Sequence, residues 1–350
     1  IRAKGLMFAL LLVLIGVGVY AALELPIDAV PDVSTIQVAV LTDAPGLSPV
    51  EVERSVTTPM ELALNGVPWL VELRSVSRSG LSAVTVVFQE GTDIWLARQV
   101  VLERVRQVEA ELPKGCGKPQ LSPVSGGLGE IYQFVVRSDH HSPTQLRTLL
   151  DWEIAPKIRQ VPGIVELNTM GGDLKEYHVV VDPARLHAQA LTLSQVAESL
   201  ERANTNVGGG YIERSSESLT LRGVGLLQNE SEIGNVVLRT AADGTPVLVR
   251  NVASVQVGAA MRYGVITRDG QGEAVTGTTM MLIGSNSRQV VNAVKKKVAE
   301  IATELPPGVK IEPIYDRSDF VGRTLATVMR NLVEGALVVT LVLALMLGTV

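Results

Sequence analysis

The chain has 350 residues, 46% apolar and 19% charged, and a formal net charge of −5. That balance offers no basic stripe for nucleic acid: the one compact basic run, Lys295-Lys296-Lys297, falls in a predicted helix and reads as a solvated face. The single cysteine, Cys116, excludes an internal disulfide, and a lone soft ligand in the turn Pro113–Pro119 is a poor metal site.

The first predicted element is Gly5–Leu23, nineteen residues without a charge. A helix needs about twenty apolar residues, at ~1.5 Å each, to cross a ~30 Å hydrocarbon layer, and this stretch is long enough. Arg2 and Lys4 precede it, which favours a cytoplasmic N-terminus and places the following residues outside the inner membrane. The rival is a cleavable signal peptide ending near Ala21-Ala22. The apolar core exceeds the usual length for that role, and a second apolar stretch from Leu332 to Val350 favours a retained helix. In the second stretch only Glu334, near the membrane entry, is charged. The missing initial Met suggests that residues precede Ile1.

Between the two stretches lies a repeated order of elements. Ser34–Asp43 reads as a strand, rich in β-branched residues. Ser48-Pro49-Val50-Glu51 opens a helix running to about Asn65: Ser caps it, Pro suits its first turn, and Glu closes a capping box. Strands are predicted at Leu70–Ser77 and Ser82–Gln89, then a helix from Asp93 to Leu112 with Ile94, Ala97, Val101, Val105 and Val108 on one face. A short strand near Gln120 completes a β-α-β-β-α-β unit.

The pattern restarts with a strand at Gly129–Val136, a helix capped by Ser142 to about Gln160, and a strand at Ile164–Met170. Its closing half is predicted as strands at Gly264–Arg268 and Thr276–Leu282, a helix at Ser287–Leu305 and a strand at Val309–Tyr315. An insertion, about 173–255, separates the halves. It carries a strand at Tyr177–Val181, helix starts at Asp182-Pro183 and Thr192, and a Gly-rich hairpin around Asn206–Tyr211. The expected class is α+β: two ferredoxin-like βαββαβ units, the second holding a nested domain, flanked by transmembrane helices. Clefts where such units meet are the usual place for a solute.

Several stretches resemble the heavy-metal efflux branch of the resistance–nodulation–division (RND) transporters, the cobalt–zinc–cadmium type. They are Pro26–Val33, Ala44–Pro49 with Glu51-Val52-Glu53, Phe88–Arg98, Gly127–Gln133, Val181–Leu186 and Tyr315-Asp316-Arg317-Ser318. The resemblance covers essentially the whole chain. It implies a first transmembrane helix at 5–25, a first porter subdomain at 26–121, and a second porter subdomain at 122–172 and 256–320. A docking domain at 173–255 and most of a second span at 331–350 complete the division. It further implies a homotrimer in the lipid bilayer of the bacterial inner membrane, with residues about 26–325 in the periplasm. Such a pump uses the proton gradient and joins a periplasmic adaptor (membrane fusion protein) and an outer-membrane channel. No resident cofactor is expected, and a metal cation is the transported substrate. The hairpin near Gly208–Gly210 resembles an arm reaching into a neighbouring subunit.

Borderline divalent cations take carboxylate oxygen and imidazole nitrogen, whereas copper(I) and silver prefer sulfur. On that basis Glu130, at the head of a strand, and Glu166 with Asn168, two residues apart on one face of another, are candidate ligands. Each is also a plausible solvated sheet residue. Met261 resembles a methionine that feeds a sulfur relay in copper and silver members; packing at a strand end is the alternative. Met280-Met281 alternates across a strand, so at most one faces a cleft, and both are expected as core. His140-His141 reads as a polar loop, and His178 and His187 fall in the insertion. Gly126-Gly127-Leu128-Gly129 lacks the lysine and helix of a phosphate loop. No nucleophile–base arrangement suggests an enzyme. The low aromatic content, with four Phe, argues against a greasy drug pocket. A copper/silver exporter of the same branch, a drug-type exporter and a non-transporting periplasmic assembly protein are the remaining alternatives. The last lacks the expected heptads.

Overall fold

Helix α1 (Lys4–Glu24) opens the computed structural model, which describes residues 4–24, 34–214, 217–241, 244–262, 264–270 and 272–347. The Pro26–Val33 motif and the end of the expected second span, 348–350, lie outside the described residues. Along α1, Leu10, Leu12, Val13, Leu14, Ile15, Val17 and Tyr20 are each more than half exposed. A helix apolar all round needs lipid or other helices to cover it.

The first unit runs β1 (Gln37–Asp43), α2 (Pro49–Val52), α3 (Thr58–Leu64), β2 (Leu70–Arg78), β3 (Leu81–Phe88), α4 (Ile94–Glu109) and β4 (Gln120–Leu121). Its antiparallel sheet has the order β2-β3-β1-β4. Alternate residues Val38, Val40, Val84 and Val86 face Met60, Leu64, Ala97, Val101 and Val105, and all nine are buried. At the predicted Ser48 cap the backbone N–H donates to Glu51 Oε2 at 2.8 Å, and Asp93, at the predicted start of α4, caps it by accepting from Trp95 N–H at Oδ1, 2.7 Å.

The second unit begins with β5 (Glu130–Arg137), α5 (Pro143–Leu149), α6 (Ala155–Arg159) and β6 (Ile164–Met170). The insertion follows: β7 (Lys175–Val181), α7 (Pro183–Ala188), α8 (Leu193–Ala203), β8 (Val207–Arg214), β9 (Glu217–Gly223), α9 (Glu230–Gly234), β10 (Val237–Thr240), β11 (Pro246–Leu248), α10 (Val249–Val252) and β12 (Ala253–Ala259). The chain then returns as β13 (Val275–Met281), α11 (Ser287–Ala302) and β14 (Lys310–Asp316). The sheet order β14-β5-β13-β6 is that of the first unit read from the other edge. Helices α5, α6 and α11 cover one face, where Phe134, Val136, Leu167, Val275 and Met281 meet Leu150, Ile154, Ile158, Val291 and Val294.

The leading helix of each unit is not uniform, as the apolar spacing alone had implied. Residues Glu53–Thr57 and Leu150–Ile154 form wide π-turns. Pro59 and Pro156 explain both. A proline inside a helix lacks an N–H, and its ring crowds the carbonyl four residues back. The residue before each proline, Thr58 or Ala155, donates instead to the carbonyl five residues back, Glu53 or Leu150. The extra residue in the turn accommodates the ring without ending the helix.

Residues 264–268, expected as a strand, form a loop with one isolated bridge, Thr267 to Glu273. Both edges of β13 are already occupied by β5 and β6, so the loop closes on itself, with Ala274 N–H donating to Ile266 C=O at 2.8 Å. The insertion's ribbon extends to Ala259, because β12 pairs with β7 from Ala253↔Val181 to Ala259↔Lys175. Gly171, at the exit from β6, has φ +75°, and a Cβ there would lie 2.0 Å from Ala274 O. Only glycine fits that corner.

Helix α12 (Arg317–Leu347) starts fourteen residues before the expected span. Its stretch Arg317–Met346 is long and apolar enough to cross a membrane by length and composition. The early start is fixed by polar contacts at the end of β14. Asp316 Oδ1 accepts from Ser318 N–H (2.8 Å) and Oγ–H (2.5 Å), and Asp316 Oδ2 accepts from Lys295 Nζ (2.6 Å). Arg317, 5% exposed, donates to the carbonyl of Leu128. Arg330 and Glu334 pair at 3.8 Å, one turn apart, within α12.

Burial opposes the charge on Asp316, but the hydrogen bonds from Lys295 and Ser318 outweigh it and hold its carboxyl below the ordinary value. The hydrogen bond to Asp316 raises the Lys295 ammonium above its ordinary value, against desolvation. The depressed carboxyl contributes stability above its unfolded pKa, lost as pH falls through the folded one. The raised ammonium contributes below its unfolded pKa, lost as pH rises through the folded one. In the full-length protein, Asp316→Asn, which can still cap Ser318, is expected to flatten the acid side of a melting-temperature profile against pH. Lys295→Met is expected to flatten the alkaline side. Unaltered profiles for both variants would remove this pair as a source of pH-dependent stability.

Candidate metal site

Strand β13 lies between β5 and β6, so each of its residues has a cross-strand neighbour on either side. Met280 stands opposite Glu130 on β5 and opposite Glu166 on β6. Directly opposed residues share a sheet face, and adjacent strands lie about 4.8 Å apart, so the two glutamates are separated by about 10 Å at their backbones. The next row on that face is Tyr315, Gln133, Thr278 and Asn168. The register shifts beside Met280 on both flanks: Ile131 is skipped on β5 and Val165 on β6. Such bulges re-aim side chains and are common beside functional sites. Thus Glu130, Met280 and Glu166 form one row on the face away from α5, α6 and α11.

The ladder is set from the opposite face. Phe134 is fully buried over Gly277, and a Cβ at Gly277 would fall 2.5 Å from the ring. Tyr132 also faces the helices. Its phenol is raised above its ordinary range by burial and then by the nearby Asp316 charge, so it stays protonated.

Three of the four expected positions lie on one face of the sheet, Glu130 and Glu166 in one row and Asn168 in the next. Glu130 is exposed, and its Oε2 accepts from Gln133 Nε2 at 2.8 Å. Glu166 and Asn168 are half-buried, with Leu167 between them in the core. Met261 is set apart: it is 83% exposed in the loop after β12. That loop is fastened beyond the far end of β6. Ala260 N–H donates to Leu174 C=O (2.9 Å), and Arg262 contacts Asp173 (3.1 Å) and Glu273 (2.5 Å). From Glu166 to Met170, the last residue of β6, is already about 13 Å along the strand.

Sequence reasoning missed Met280. Alternation states that Met280 and Met281 point opposite ways, yet only the register reveals which one lies between the acids. Met281 is 8% exposed in the core, and Met280 is half-buried on the polar face. The other candidates stay apart from the row. His141 Nδ1 lies 2.9 Å from Ser138 Oγ within its own loop, and His178 Nε2 lies 3.3 Å from Glu176. Cys116 packs beside Ala44, Val52 and Val56. Gly126–Gly129 forms a turn into β5, with Gly129 N–H donating to Gly126 C=O at 2.9 Å. Among the described residues, no cluster of three or more His, Cys, Asp or Glu side chains is placed to hold a metal. An open cavity of about 520 Å³ lined by Thr148, Trp152, Lys175 and Val257 includes only one acid, Glu153. The row supplies two carboxylates, one thioether and neighbouring amide and hydroxyl oxygens. That set suits a cation held loosely.

The profile of the AcrB/AcrD/AcrF family matches residues 1–350. The cobalt-zinc-cadmium resistance protein CzcA of Cupriavidus metallidurans is 44% identical over 96% of this chain and 32% of its own length. Protein HelA of Legionella pneumophila is 45% identical over 99% of this chain and 33% of its own. A crystal structure of a heavy metal efflux pump superposes with a TM-score of 0.89 at 33% identity, covering 99% of this chain and 35% of that one. The chain thus spans about a third of the length of these relatives.

Gly277→Ala is expected to force the Phe134 ring aside and destabilise the protein by about 1–3 kcal/mol, as overpacking does. Denaturant or thermal unfolding checks this. A fully stable Gly277→Ala protein would show that the ring does not set the ladder.

Proposed function

The chain belongs to the AcrB/AcrD/AcrF family, and from that premise we propose that it forms part of a proton-driven exporter of divalent heavy-metal cations. The observation that carries this reading is the placement of Glu130 and Glu166 in one row on the face of the second sheet away from α5, α6 and α11. Two carboxylates bring two negative charges, which match a divalent cation. Oxygen ligands suit the zinc, cobalt, nickel and cadmium class, and Asn168 adds an amide oxygen one row away. Among the described residues the ligand set is incomplete. A transport site must release its ion, so an open set fits better than a closed tetrahedral one, which suits structural zinc.

In this reading α1 and α12 cross the bacterial inner membrane, and residues about 26–325 lie in the periplasm. The protein acts as a homotrimer with a periplasmic adaptor and an outer-membrane channel, the arrangement expected of its family. The β8–β9 ribbon supports a subunit contact: Val207, Tyr211, Ile212, Leu219 and Leu221 are all more than half exposed on two strands paired only with each other. The metal is cargo, and no resident cofactor enters.

The test is transport by the full-length protein in everted membrane vesicles, with zinc, cobalt, cadmium, nickel and copper, with and without a pH gradient. Glu130→Ala is expected to lower uptake of the divalent metals by about tenfold or more, the scale of losses at metal sites. Wild-type uptake that ignores the pH gradient, or export of dyes and no metals, would overturn the reading.

A further inference from the structure

Met280 is a half-buried methionine in a polar row of the sheet. Its neighbour Met281 lies in the largest apolar cluster, whereas Met280 belongs to none of the apolar clusters. Its face carries Gln133, Thr278, Asn168 and Tyr315 in the next row, and its own row carries two carboxylates. A buried or half-buried apolar side chain normally finds apolar partners. Here the flexible thioether stands between two anionic groups, and register shifts on both flanking strands occur at that position.

Resting on the exporter reading above, we propose that Met280 is a specificity-determining ligand that biases the Glu130–Glu166 site toward a soft divalent cation, with cadmium favoured over zinc. Two terms act together. The paired carboxylates select charge: a monovalent copper or silver ion would leave one negative charge uncompensated. The thioether selects softness, since sulfur favours soft, polarisable ions over hard, oxygen-seeking ones. A cation that is both divalent and soft satisfies both. Among the described residues no group of three or more His, Cys, Asp or Glu is placed to hold a metal, and Met280 is the residue whose backbone stands between the two acids. Gln133, donating to Glu130 Oε2, holds that carboxylate against the sheet.

The experiment compares cadmium and zinc uptake by full-length protein in proteoliposomes under an imposed pH gradient. Met280→Leu keeps size and apolarity and removes sulfur. It is expected to lower the cadmium-to-zinc uptake ratio by about tenfold, as loss of a donor at a metal site does. Met280→Cys, which retains a soft donor, is expected to keep most of the ratio. X-ray absorption of the cadmium-loaded protein is expected to lose sulfur scattering in Met280→Leu and to retain it in Met261→Leu. An unchanged ratio in Met280→Leu, while Glu130→Gln lowers uptake of both metals, would overturn the role of Met280 and leave the exporter reading standing. If Glu130→Gln leaves both uptakes unchanged, the site itself is wrong and this inference falls with it.

Discussion

The register of the second sheet is the constraint on which everything else depends. β13 is hydrogen-bonded on both edges, so a one-residue slip would exchange its faces. Met280 would turn toward α5, α6 and α11, and Met281 would turn outward. The core opposes that exchange, because Val275 and Met281 are closely packed while Gly277 leaves room only for the Phe134 ring. The bulges at Ile131 and Val165 are local departures from this ladder. They let Ile131 remain in the core while Glu130 takes a place opposite Met280. Burial on one side of the sheet thus fixes the chemistry on the other.

The same unit is tied to the apolar helix that follows it. Asp316 ends β14, caps α12 through Ser318 and holds Lys295 of α11. Arg317 reaches the carbonyl of Leu128, two residues before Glu130. One charged pair and one buried guanidinium therefore connect the start of the long helix to both the covering helix and the head of β5. These contacts are short and specific, and the side chains of Asp316 and Arg317 are largely removed from water. Charge-assisted hydrogen bonds in such surroundings are stronger than exposed ones. The Tyr315–Ser318 stretch is thus a structural joint as well as a sequence motif.

Much of this was legible in the sequence, for identifiable reasons. Ser48 with Glu51, Ser142 with Gln145 and Thr192 with Gln195 are local signals: the last two form reciprocal capping boxes, and Ser48 gives its N–H and Oγ–H to Glu51. Strands with one buried face alternate, and β1, β3, β5 and β13 fell within a few residues of expectation. The repeated element order disclosed both ferredoxin-like sheets before any pairing was known. What escaped was non-local. The π-turns at Pro59 and Pro156 fit inside helices whose apolar spacing already looked continuous. Residues 264–268 are β-rich in composition, yet they close as a loop on Ala274 beside a β13 already paired on both edges. Glu130, Glu166 and Asn168 were recognisable as polar residues on strands, yet their meeting required the register. Met280 and Met281 alternate along one strand, and nothing local in the sequence tells which of the two leaves the core.

The incompleteness of the row has a physical sense. A closed four-ligand zinc site binds with a free energy on the order of 10–16 kcal/mol at neutral pH, which retains the ion and stabilises the fold. A site that must load and unload needs a weaker grip and a means to change it. Glu130 sits at an exposed strand head, and Glu166 is embedded in an edge strand. They are fixed in one sheet and do not close around an ion by themselves. On the proposed reading, any remaining donors approach from outside this face. The ladder fixes where Glu130, Met280 and Glu166 stand relative to one another.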